Sequence, residues 1–157
     1  MTRRYGRAPR GERVVDTAPA GDWRTLTLLG AISWQGMLAS MIIESPTDGD
    51  VFLAYLEQIL CPKLQPGHVV VMDNLGAHKV AGVRELIEAR GAQLLYLPPY
   101  SPDFNPIEMA FSKFKALLRA AAARTINDLW EAIRLAIGAF KPSECQNYFV
   151  AAGYDAI

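Results

Sequence analysis

A chain of 157 residues in which 51% of positions are hydrophobic can bury one substantial core and is too short for two ordinary domains. Sixteen basic and sixteen acidic residues leave no net charge, which excludes any argument for a polyanionic partner from charge alone. Cys61 and Cys145 stand far apart without Cys-x-x-Cys or Cys/His spacing, so neither a disulfide framework nor a zinc site is expected, and a reducing compartment is.

The basic residues are unevenly placed. Residues 1–24 form an arm carrying Arg3, Arg4, Arg7, Arg10, Arg13 and Arg24 against Glu12, Asp16 and Asp22, a local net of +3. The arm begins without the apolar run of a signal peptide and offers one short strand candidate, Arg13 to Thr17. It reads equally well as a solvated arm and as a phosphate-contacting one. Leu26 to Ile43 contains no charged residue and reaches the lower length limit of a membrane span. Polar and glycine interruptions, with Trp34-Gln35-Gly36 as a turn, make a buried hairpin of strands Thr25–Ser33 and Met37–Glu44 the better expectation.

Ser45-Pro46-Thr47-Asp48 then supplies a break and a helix cap. Phe52, Leu53, Leu56, Ile59 and Leu60 recur at helical spacing up to Cys61-Pro62. Val69 to Met72 is an uninterrupted apolar run, as expected of a parallel strand buried on both faces. A helix from Val80 to Arg90, stopped by Gly91, and a strand from Gln93 to Leu97 complete a right-handed parallel crossover. Asp73 stands where the apolar strand runs out, the edge at which open α/β sheets gather their ligands.

Leu97 to Glu108 is a stiff loop containing Pro98, Pro99, Pro102 and Pro106. Each proline fixes its own φ and pushes the preceding residue out of the helical region. At Asn105-Pro106 a favoured N-cap meets a favoured first helical residue, and the apolar series Ile107, Phe111, Phe114, Leu118 begins. A helix is expected from Pro106 to about Ala123, a second, capped by Thr125, to Phe140, and a terminal one after Lys141-Pro142. Glu108 falls at the third helical position, where a capping box with Asn105 would account for it. Ser112, Lys115 and Arg119 share its face, a stripe suited either to solvent or to DNA phosphates. Tyr100 and Phe104 on the loop are candidates to stack on bases or to anchor the loop, with anchoring favoured for Phe104. His68 is expected at the surface.

Two stretches together, Val71-Met72-Asp73-Asn74-Leu75-Gly76-Ala77-His78 and Pro98 to Glu108, resemble the DDE transposases of the mariner superfamily, in particular its bacterial insertion-sequence branch. Thirty-four residues lie between Asp73 and Glu108, the separation that family shows between its second and third metal-binding acids. The likeness runs from about Arg3 to Phe140. It implies a ribonuclease-H-like α/β fold with a mixed sheet flanked by helices, and Asp73 and Glu108 as catalytic, metal-binding carboxylates. It further implies Mg2+ or Mn2+ in a two-metal site, and DNA as transposon end and target. Hard divalent ions of this kind want carboxylate oxygens. Asn74, His78 and Asn105 are expected to orient the site, and Arg3, Arg4, Arg7, Lys115 and Arg119 to contact DNA.

The family's first catalytic Asp lies on the first, central strand of the sheet, and no residue of this sequence takes its place. The expectation is therefore one partial catalytic domain, with a basic arm at 1–24, a core at 25–140 and a tail helix at 141–157. It lacks the central strand and is inactive alone. It is complemented by an upstream split-frame segment or by self-association, in a bacterial, nucleoid-associated cytoplasmic setting with no membrane partner. Two other readings stay open: a DNA- or transposase-binding regulator, and an unrelated α/β hydrolase using Asp73 and His78.

Overall fold

The computed structural model describes residues 7–13, 15 and 26–154. Arg3, Arg4 and most of the strand candidate at 13–17 lie outside these residues, while Arg13 and Val15 themselves are not in a strand.

Strands β1 (Thr27–Ser33) and β2 (Gly36–Ile43) pair antiparallel, Thr27 opposite Ile43 and Ser33 opposite Gly36. Trp34 and Gln35 make the turn, and Gly36 leaves it at φ +132°, a backbone state that favours glycine. Both faces of the hairpin are covered. Leu29, Ala31, Ala39 and Met41 join one core, and Leu28, Ile32, Met37 and Ile42 pack against another. Coverage on both sides explains an apolar run without strand alternation, and the membrane-length stretch is this hairpin. Among the described residues no helix is long and apolar enough to cross a membrane.

Asp48 caps helix α1 (Gly49–Tyr55), its Oδ1 accepting from the Val51 N–H at 2.9 Å. The helix continues through a π-helical turn at Leu56–Leu60 and a 3-10 turn at Cys61–Lys63. That continuation seats Leu56, Leu60 and Cys61 in the first core beside Phe52, Tyr55, Met72, Val83, Ile87 and Leu94. Burial pushes the Tyr55 hydroxyl and the Cys61 thiol above their ordinary pKa values.

Strand β3 (Val69–Met72) runs parallel to β4 (Gln93–Tyr96), with Val69 beside Gln93 and Met72 beside Tyr96. Helix α2 (Val83–Glu88) crosses between them and is shorter than the periodicity suggests. Residues Gly76–Lys79 form a 3-10 turn instead, and Gly82 at φ +96° sets the later start. Gly91 ends the crossover at φ +70°. The expectation that β3 is buried on both faces is corrected: Met72 and Leu94 face the core, but Val69 and Leu95 remain about half exposed. Among the described residues β1–β2 and β3–β4 are two separate two-stranded sheets, so each parallel strand has one neighbour and one open edge.

Helices α3 (Pro106–Ala121), α4 (Ile126–Gly138) and α5 (Pro142–Ala151) form the opposite layer. Ala122, left-handed at φ 47°, ends α3 two residues before the expected limit, and Thr125 caps α4 through a reciprocal pair with Asp128. Ala110, Phe114, Leu118, Ile133, Ala136, Phe140 and Cys145 make the second core under the hairpin. Helices thus lie on both sides of the strands.

Candidate active site

Asp73 is the first residue beyond β3, at the carboxyl end of the parallel pair. Its Oδ1 accepts the Leu75 N–H at 3.0 Å, an Asx-turn that fixes the carboxylate's direction. His78 Nδ1 stands 2.7 Å from the same oxygen. The approach lacks hydrogen-bond alignment, and Nδ1 is shielded from solvent. One ring packs on the imidazole, and two hydrogen bonds hold the His78 backbone. The Phe52 ring lies with its centroid 4.4 Å away, the Tyr96 hydroxyl donates to the His78 carbonyl at 2.6 Å, and the His78 N–H donates to the Leu75 carbonyl at 2.9 Å. The Asp73 side chain keeps 48% of its surface exposed against 19% for His78, which leaves the carboxylate open and its neighbour packed.

The proline loop is tied to the Asp73 side by backbone and side chain alike. The Leu97 N–H donates to the Met72 carbonyl at 2.8 Å, and the Asn74 side-chain amide donates to the Leu97 carbonyl. At the other end of the loop Asn105 caps α3, its Oδ1 accepting from the Ile107 N–H at 3.4 Å. The Asn105 N–H donates to the Pro102 carbonyl at 2.9 Å. That donor is therefore taken, and the capping-box role for Glu108 is corrected. Among the described residues no hydrogen bond or ion pair engages the Glu108 carboxylate, which is exposed.

Asp73, Asn74, Asn105 and Glu108 line one open cleft of about 250 Å³, walled by Pro98 and Tyr100. Glu108 and Asn105 also border an adjoining depression that reaches Met109 and Ser112. Two carboxylates, one with no partner and one half exposed, are the oxygen donors the cleft offers, a set suited to a hard divalent cation. No group of three or more His, Cys, Asp or Glu side chains converges for a metal among the described residues. Lys115 and Arg119 are exposed farther along α3 and do not line the cleft, and Arg7 is exposed on the arm. His68 is at the surface, its Nδ1 accepting from the Gln65 N–H.

A family model described as DDE superfamily endonuclease matches residues 1–130. The chain belongs to the DDE superfamily endonuclease family. No curated protein matches it. Among solved structures the chain is similar to a pre-cleavage Mos1 transpososome, at TM-score 0.52 and 17% identity over 99% of this chain and 52% of that one. The Mos1 Strand Transfer Complex gives TM-score 0.51 and 17% identity over 99% and 51%. The Mos1 mariner paired end complex with Mn gives 0.50 and 17% over 99% and 53%. This chain spans about half the length of those Mos1 chains, and at such identity the likeness is one of fold, ribonuclease-H-like. Within that DDE fold, sequence reasoning missed the support of His78 by Phe52 and Tyr96. Phe52 carried only a core-helix signal, and nothing in the sequence joins either residue to position 78.

Proposed function

We propose that the chain carries the second and third acids of a DDE transposase site, Asp73 and Glu108, and that this site cuts and joins DNA phosphodiesters with Mg2+ or Mn2+. The observation that carries the reading is that the two acids, with thirty-four residues between them in sequence, line one open cleft. The cation, when bound, supplies activation of the attacking oxygen and stabilisation of the leaving one. Asp73 and Glu108 hold it, Asn74 and Asn105 fix the two loop ends that present those acids, and His78 keeps Asp73 aimed. Mos1 transposase has been seen in a paired-end complex with the left transposon end and in a paired end complex with Mn, which suits DNA as substrate here and manganese as a usable ion. Lys115 and Arg119 on α3, and Arg3, Arg4 and Arg7 on the arm, serve as phosphate contacts in this reading, with the insertion-sequence branch as its source.

Manganese-dependent nicking of supercoiled DNA tests this: Asp73→Ala and Glu108→Ala should each abolish the activity. Strong nicking by the 157-residue chain that survives both substitutions contradicts the reading. One observation favours a second reading, acid-base hydrolysis by the Asp73–His78 pair at 2.7 Å. Hydrolysis that persists in EDTA and falls with His78→Ala would select it.

A further inference from the structure

Tyr100 combines two features that neither packing nor local backbone preference explains. Its φ is 58°, the left-handed region where a residue with a Cβ is strained. Its side chain is also fully exposed, at 103% of the reference surface, so no burial offsets that strain. An isolated outlier of this kind points to function when it stands at a site, and Tyr100 walls the cleft that holds Asp73 and Glu108. Pro98, Pro99 and Pro102 flank it and stiffen the loop, so little ordering is left to do when the ring meets a partner. Phe104 differs: it is half exposed, and its carbonyl accepts the Tyr154 hydroxyl at 3.0 Å, which ties that end of the loop to the residues after α5.

We propose that the Tyr100 ring is a stacking platform for an unpaired nucleobase beside the phosphate presented to Asp73 and Glu108. The inference rests on the reading of this cleft as a DNA-processing site. Every base has a π face, so the platform selects an unstacked base without selecting its identity.

The test is fluorescence anisotropy of the full chain with two labelled duplexes, one fully paired and one with a single unpaired base. The chain should bind the second about 10-fold more tightly, the scale of one base–aromatic stack. Tyr100→Phe should keep that ratio, and Tyr100→Leu and Tyr100→Gly should bring it to about one. Tyr100→Gly relieves the left-handed strain, so its melting temperature should stay within about 2 °C of the parent. A parent ratio of one, no binding to either duplex, a ratio kept by Tyr100→Leu, or a large loss of melting temperature in Tyr100→Gly overturns the proposal. A chain that binds Mn2+ through its acids but shows no preference fails this proposal alone. One that prefers the unpaired base but binds no metal fails the reading of the acids alone.

Discussion

His78 Nδ1 lies 2.7 Å from Asp73 Oδ1, and its ring packs against Phe52. The histidine reaches its carboxylate through a 3-10 turn, Gly76–Lys79, that returns the chain toward β3. Groups that aim a metal-binding side chain typically contribute 10–100-fold in affinity. His78→Leu should therefore weaken Mn2+ binding about 10-fold in a calorimetric titration. His78→Asn, which keeps a polar atom near the Nδ1 position, should lose less. Equal losses in the two variants would mean that His78 acts only by filling space.

The exposed cations of α3 make a second expectation. If Lys115 and Arg119 contact phosphates, each removed contact lowers the slope of log affinity against log salt by about 0.9. Anisotropy titrations of Lys115→Ala and Arg119→Ala at several salt concentrations give those slopes. A slope unchanged in both variants places the DNA path elsewhere on the surface.

Glu144 joins α5 to α3 and sets an acid limit on that layer. Its Oε2 accepts from Lys113 Nζ at 2.5 Å and its Oε1 from the Tyr148 hydroxyl at 2.6 Å, while Lys113 also donates to the Ala139 carbonyl at 2.9 Å. Burial works to raise the carboxyl pKa, but the hydrogen bonds from Lys113 and Tyr148 and the Lys113 charge outweigh it and hold the group below its ordinary 4.5. A carboxylate depressed in the folded state stabilises above its unfolded pKa, and that stability is lost as pH falls through the folded value. Thermal melts below pH 4.5 should show this loss in the parent, and Glu144→Gln should show a lower melting temperature at pH 7 and a shallower acid slope. Parallel pH curves for the two proteins would remove Glu144 from the account.

Much of this was legible in the sequence because the local constraints agree with one another. Asn105-Pro106 had to start a helix, Asp48 had to cap one, and the turn at Trp34-Gln35 had to join two strands, since each rests on backbone geometry within a few residues. What was not legible depends on partners distant in the chain. The capping box failed because the Asn105 N–H goes to Pro102 rather than to Glu108. Val69 and Leu95 stayed exposed because the burial of an apolar strand depends on what covers its second face. The π-helical turn at Leu56–Leu60 and the left-handed backbone of Tyr100 carry no composition signal at all.

Mn2+ titration of the parent, each alanine variant and the double variant measures directly whether Asp73 and Glu108 act together on one metal site. Circular dichroism melts serve as the folding control. The parent should bind, each single variant should lose about 10-fold or more, and the double variant should be no worse than the weaker single one, because side chains that share a ligand are coupled. Mn2+ binding that is unchanged by either substitution, or additive losses from two independent sites, would contradict a shared site.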